Sequence, residues 1–242
     1  MAKNYTASLS NVLFASNSCH DAGALAVWGV SHTIGPNATF FNNLAFKSGS
    51  IAGAVYIRGE TDEAIIGSVP FQSNMTGANF TGNGARSQGG AVFYRGIWTP
   101  RVVDSVFESN TVSTLATTDG SNTAGAVFMN ELELSPAFFE RVVFRANRAF
   151  VAGAMLVVQS NLSMVDCWFD DNTAMESAGG LSWTQPITSP LYYQVNISGS
   201  NFTRNAATGY IGGAVRIQMA GAVIRGCLFE DNWAGGPGIG AR

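Results

Sequence analysis

A phenylalanine followed at a fixed distance by an asparagine recurs along this chain. The rings are Phe14, Phe40, Phe80, Phe107, Phe144, Phe169, Phe202 and Phe229, and three residues after each stand Asn17, Asn43, Asn83, Asn110, Asn147, Asn172, Asn205 and Asn232. Two residues further on come Cys19, Ala45, Ala85, Val112, Ala149, Ala174, Ala207 and Ala234, all small. A glycine then opens a second phrase at Gly23, Gly53, Gly90, Gly125, Gly153, Gly180 and Gly213. Coupled positions that repeat this way mark a solenoid or array. The Phe-to-Phe steps are 26, 40, 27, 37, 25, 33 and 27, so the bare unit is near 26 residues and the longer steps carry inserts. No helical period accompanies the repeat, which removes ankyrin, TPR and HEAT arrays. A unit this short, rich in glycine and strand-like runs, reads as one coil of a parallel β-helix.

Alternation assigns the faces, because successive strand residues point to opposite sides. Two residues before each ring stand Val12, Ala38, Ala78, Ser105, Val142, Cys167, Ser200 and Cys227, a small column expected to point inward beside the rings. The residue directly before the ring is mixed (Leu13, Thr39, Asn79, Val106, Val143, Trp168, Asn201, Leu228) and is expected to face out. The asparagine column should sit at a turn, where Asn tolerates left-handed backbone, and its stacked side chains can bond along a ladder. In the second phrase, the columns Leu25, Val55, Val92, Val127, Met155, Ser182, Val215 and Val27, Ile57, Tyr94, Met129, Val157, Thr184, Ile217 should be core. Between them, Ala26, Tyr56, Phe93, Phe128, Leu156, Trp183 and Arg216 should face out. The row Tyr56, Phe93, Phe128, Leu156, Trp183 is then an outward apolar strip. Such strips mark interfaces, for another protomer or for sugar rings. The other reading is that the chain's own inserts, chiefly 58–70 and 111–123, cover it.

These phrases resemble the repeats of the chlamydial polymorphic outer membrane protein family, marked by Phe-x-x-Asn and Gly-Gly-Ala-(Ile/Leu/Val). The second motif stands here as Gly89-Gly90-Ala91-Val92 and Gly212-Gly213-Ala214-Val215, with looser forms at Ala52-Gly53-Ala54-Val55 and Ala124-Gly125-Ala126-Val127. The resemblance implies a right-handed parallel β-helix and a surface adhesive or structural role; the crossover rule for parallel strands gives the same hand. The expectation is one all-β domain over 1–242, a single-stranded solenoid of eight coils. Asn-to-Gly gaps run 6, 10, 7, 15 and then 6, 8, 8, and Asn74–Thr81 resembles Asn196–Thr203, 122 residues later. Coils 1–4 and 5–8 thus read as a super-repeat, and both ends interrupt the pattern, as in a fragment of a longer repeat chain.

Composition narrows the function. Only 12% of residues are charged, the net charge is −3 and no Lys/Arg cluster exists, which argues against a nucleic-acid partner. No apolar run approaches a membrane span. Seven Asn-x-Ser/Thr sequons occur, at Asn4, Asn37, Asn74, Asn79, Asn161, Asn196 and Asn201; occupied sequons require exposure and a secretory route. Asn79 and Asn201 fall in the outward column. Cys167 and Cys227 share an inward column two coils apart, beyond disulfide reach, and read as buried free thiols; with Cys19 the three cannot all pair within the chain. His20 and His32 carry no metal-ligand pattern, and neither a metal nor a cofactor is expected. Glu108, Asp170 and Glu230 follow the ring in alternate coils, near Asp104, Asp166, Asp171 and Asp231. Their spacing, ~9.6 Å from two strand steps, is near that of inverting glycosidases. Acidic residues on an outer turn are more often solvation. The leading expectation is therefore a non-enzymatic, secreted or cell-surface glycoprotein, structural or adhesive, that stacks on copies of itself or on the rest of a longer chain. A polysaccharide-active enzyme or carbohydrate-binding module is the alternative.

Overall fold

The computed structural model describes residues 6–59, 71–96, 98–113, 123–130, 136–185, 192–209 and 211–235. Each of coils 1–7 contributes one strand to each of four parallel sheets, and coil 8 contributes to three of them among the described residues. In the third coil these are Phe71–Thr76, Asn79–Thr81, Gly84–Ala85 and Val92–Arg95. Three sheets hold eight strands and the fourth seven among the described residues, each strand pairing with its counterparts one coil away. The result is a right-handed parallel β-helix in which, among the described residues, no strand pairs with its sequence neighbour.

The register aligns like with like. Phe40, Phe80 and Phe107 are direct partners in the second sheet. The eight rings stack face to face from Phe14 to Phe229, with centroids 4.6–5.1 Å apart and planes within 16°. That spacing is the strand separation itself. Around the rings lie Ala38, Ala78, Ser105, Val142, Cys167 and Ser200, all 2% exposed or less. Leu13, Trp168 and Leu228, one residue before their rings, are 69%, 42% and 47% exposed, so alternation holds on this sheet.

Two bends per coil are made by single left-handed residues. One column, three before the ring, is Asn11, Asn37, Gly77, Asp104, Arg141, Asp166, Gly199 and Gly226; the other, two after it, is Ser16, Asn42, Gly82, Ser109, Ala146, Asp171, Arg204 and Asp231. Asn, Asp and Gly reach this conformation most cheaply. The left-handed position therefore belongs to the residue before each ladder asparagine, not to the asparagine. It also accounts for Asp104, Asp166, Asp171 and Asp231, which are turn formers.

The glycine column has a different cause. None of its members needs positive φ, but a Cβ on Gly23, Gly53, Gly90, Gly125 or Gly153 would stand 1.8–2.1 Å from the carbonyl oxygen of the next coil's glycine. In coil 6 that role falls to Gly179, whose neighbour is the Gly213 carbonyl, and not to Gly180. The register follows: Met155 pairs with Leu181, Leu156 with Ser182 and Val157 with Trp183. Leu181 and Trp183 are fully buried core, and Trp183 donates its indole N–H to the Ser160 carbonyl at 2.8 Å. Placing Trp183 in the outward row and Ser182 and Thr184 in the core is thus overturned. Burying an indole in place of two hydroxyls selects the first glycine of the pair.

Replacing Gly125 by Ala puts a methyl group against a backbone carbonyl that cannot retreat without breaking its ladder. We expect a loss of at least about 3 kcal/mol, read from the urea midpoint of the full chain.

Candidate functional site

The asparagine column is buried and bonded in one repeating pattern. The Asn83 backbone N–H and Nδ2 both donate to Asn110 Oδ1 at 3.0 Å, and Asn83 Nδ2 also donates to the Phe40 carbonyl at 2.9 Å. Asn43, Asn110, Asn147, Asn172 and Asn205 repeat this arrangement, and Asn17 and Asn232 are the ladder's end members. Asn43 through Asn205 are 1% exposed or less. Each interior amide thus makes two donated and two accepted bonds, the full capacity of the group. The ladder locks one coil to the next, and its interior members leave no polar group over for a ligand.

The outward row of the fourth sheet is not a solvent strip. Tyr56, Phe93, Phe128 and Leu156 do align in register, but Phe93, Phe128 and Leu156 are only 2%, 6% and 4% exposed. They form a second hydrophobic cluster with Ala52, Ala124 and Ala152, against which Ile51, Tyr56, Val151 and Val158 pack. The chain entering each strand lies against the row; apolar rings gain more from that cover than from water. The parts of the inserts at 60–70 and 114–122 lie outside the described residues. An exposed aromatic interface of five coils is therefore corrected to a covered row of four coils.

Two carboxylates of the column that follows the rings, Glu108 and Asp170, face arginines. The register of that column runs Thr81, Glu108, Arg145, Asp170, Thr203, Glu230. Asp170 is 5% exposed, accepts from Thr203 Oγ1 at 2.8 Å and pairs with Arg204 at 2.6 Å. Arg145 stands between Asp170 and Glu108, 3.7 and 3.8 Å from them. An inverting pair needs a protonated acid and room for a water between the groups; here a guanidinium occupies the gap. Asp104 is held by Arg141 at 2.6 Å, and that hydrogen bond pulls its carboxyl below the ordinary range.

The sequon asparagines lie outside the core. Asn37, Asn79 and Asn196 are exposed, and Asn74, Asn161 and Asn201 are half-buried; Asn4 lies outside the described residues. At Asn79 the sequon threonine donates from Thr81 Oγ1 to Asn79 Oδ1 at 2.8 Å. At Asn201, Thr203 is turned to Asp170 and also accepts from Trp168 Nε1 at 3.2 Å. Asn37 donates to Asn11, and Asn161 accepts the Gln194 N–H.

One buried polar group lies on the first sheet, outside the columns that the repeat defines. His32 lies inside the helix, 4% exposed, on a strand whose next inward residue is Ile34. Its Nε2 is 2.8 Å from Ser73 Oγ and its Nδ1 3.2 Å from the Val30 carbonyl. Ser73 in turn reaches Tyr94 Oη at 3.4 Å. Burial holds the imidazole below its ordinary value and pushes the Tyr94 phenol up. The signal available in the sequence was register: His32 and Ser73 are cross-strand partners one inward step, two residues, before the paired core residues Ile34 and Met75. Of the cysteines, Cys19 is exposed, Cys227 half-buried and Cys167 buried, and burial pushes the Cys167 thiol up to about 11. All three are unpaired.

Among the described residues, no helix is long and apolar enough to cross a membrane. No protein-family model, curated protein or solved structure matches the chain.

Two outcomes are expected. Asn110→Ala strands the Asn83 amide and the Phe80 carbonyl inside the stack and should cost about 3–5 kcal/mol, whereas the exposed Asn79→Ala should stay within about 0.5 kcal/mol; urea melts of both variants check this. The lowered His32 pKa means the unfolded chain takes up the proton first. Stability present above the unfolded value of about 6.5 is therefore lost as pH falls through it. His32→Leu should flatten the fall in urea midpoint between about pH 7 and 5.

Proposed function

We propose that this chain is a non-catalytic, extracellular, glycosylated β-helix, serving as a structural or adhesive segment of a large surface protein or as the subunit of a filament. The observation that carries the reading is the division of the asparagines. The buried ladder members Asn43, Asn83, Asn110, Asn147, Asn172 and Asn205 all lack a Ser or Thr two residues on, while the six sequon asparagines of the described residues all lie at exposed or half-buried positions. Glycans attached there would project from the first and second sheets, at Asn74, Asn79, Asn196 and Asn201, and from the connections between strands at Asn37 and Asn161, and would leave the stack intact. The arginines on Glu108 and Asp170 support the non-catalytic part of the reading.

The end coils support stacking. Phe229 and Ile224 are 46% and 42% exposed, whereas Phe202 and Ile197, one coil inward, are 0% and 1%. Leu9 and Phe14 are half-buried, whereas Ile34 and Phe40 are fully buried. Each end therefore offers the columns that every interior junction uses, and open strand edges of this kind invite pairing. Either the rest of a longer repeat chain or another copy fits them. With Gly179 as the coil 6 anchor, the Asn-to-Gly gaps of coils 5–7 become 6, 7 and 8. The Gly-to-Phe gaps are then 17, 27, 17, 19 followed by 16, 23, 16, which keeps the longest of each set in the second coil and with it the four-coil super-repeat.

Secretion of the 242-residue chain from a eukaryotic host, followed by intact mass before and after N-glycan removal, tests the reading. Loss of glycan mass localised to Asn79 and Asn201 first, then Asn74, Asn196, Asn37 and Asn161, is expected. Secreted protein with unmodified Asn79 and Asn201 overturns it.

A further inference from the structure

The outer row of the fourth sheet begins one coil earlier than its rings do. By register it runs Ala26, Tyr56, Phe93, Phe128, Leu156. From Tyr56 to Leu156 each position holds a large apolar side chain, with ring centroids 5.5 Å apart for Tyr56 and Phe93 and 5.0 Å for Phe93 and Phe128, before the row ends in Ser182 and Arg216. At coil 1 the row holds a single methyl group. The space a further ring would take is a cavity of about 400 Å³ bordered by Ala26, Tyr56, Trp28, Ile51, Arg58 and Asp21. That volume is in the range of small-molecule sites, roughly 300–1,000 Å³.

The walls of the cavity define what would fit. Tyr56 is its floor, as Phe93 is to Tyr56 one coil on. Trp28, 58% exposed, stands at the side, and the Arg58 guanidinium lies 4.7 Å over its ring. That contact steadies the indole and keeps N–H donors at the rim. Asp21 contributes an exposed carboxylate that only accepts hydrogen bonds. An anionic ligand would meet Asp21, and a cationic one would meet Arg58. A plain aromatic ring would fill the seat but leave both polar groups unanswered. A neutral ring with one apolar C–H face and hydroxyls around its edge satisfies all of them: the face lies on Tyr56, and hydroxyls accept from Arg58 and donate to Asp21.

We propose that this seat on coils 1 and 2 binds one hexose ring of an external oligosaccharide. The site is separate from the sequons, and its occupancy does not depend on whether the chain is itself glycosylated.

The test uses the full chain after enzymatic removal of any N-glycans, so that its own sugars cannot fill the seat. Cello-, chito- and manno-oligosaccharides are titrated while tryptophan emission is followed. At least one series is expected to give a saturable change that Trp28→Phe removes. Ala26→Phe places in coil 1 the residue that coils 3 and 4 already carry in this row. It is expected to weaken binding at least about tenfold while the melting temperature stays or rises. Asp21→Ala, at an exposed position, is expected to weaken binding by a similar factor and covers the case in which Ala26→Phe fails to fold. The proposal is overturned if none of the three series binds at millimolar concentration, or if binding persists at full strength in either the folded Ala26→Phe variant or Asp21→Ala.

Discussion

The strand separation of a parallel sheet sets everything else in this molecule. Because each coil lies one backbone spacing from the next, any side chain in a column meets its own kind above and below at about 4.8 Å. Few groups fit that distance well in the interior. Flat rings do, at the stacking distance seen from Phe14 to Phe229. Primary amides do, because each can donate upward and accept from below, as Asn43 and Asn83 show. Glycine does where backbone meets backbone, since a methyl at Gly53 would overlap the Gly90 carbonyl. The three columns of the repeat are three answers to one geometric demand.

The same demand explains why charge is scarce inside and managed outside. A column of carboxylates at this spacing would repel itself. The outward column therefore alternates Glu108, Arg145 and Asp170, which brings each acid within 3.8 Å of a base. The exposed Glu108–Arg145 pair adds little stability by itself; the effect of the alternation is to remove the like-charge contacts that the fold would otherwise impose. This makes the column a poor acid–base site and a reasonable solvated flank, and it leaves the outer surface to sequons and to the covered aromatic row.

Departures from the repeat are the informative positions. Ala26 stands where later coils place rings, and a cavity results. His32 and Ser73 stand where other coils place aliphatic side chains such as Leu162 and Val195, and a buried polar chain reaching Tyr94 results. In a solenoid the neighbours define what is ordinary, so each exception can be recognised against the coil above and below it.

The sequence by itself determined the columns, and with them the fold. Eight rings, eight asparagines and a glycine series carry the coil period directly, and alternation around the rings gave the inward and outward faces of the second sheet correctly. It also placed Asn79 and Asn201 on the outer side. Only the tertiary structure decided matters that depend on what lies across a gap. Gly179 rather than Gly180 anchors coil 6, because the choice rests on burying Leu181 and Trp183 against neighbouring coils; the hydrophobic alternation of Leu181 and Trp183 held that information, but the glycine doublet masked it. The left-handed bend falls on Ser109 or Ala146 and not on the asparagine beside it, because the asparagine amide is committed to the ladder. Phe93 and Phe128 point outward yet stay dry, since alternation gives a side chain's direction and not what packs over it. Direction is local and readable along one strand; cover comes from residues distant along the chain and exists only once the coils have stacked.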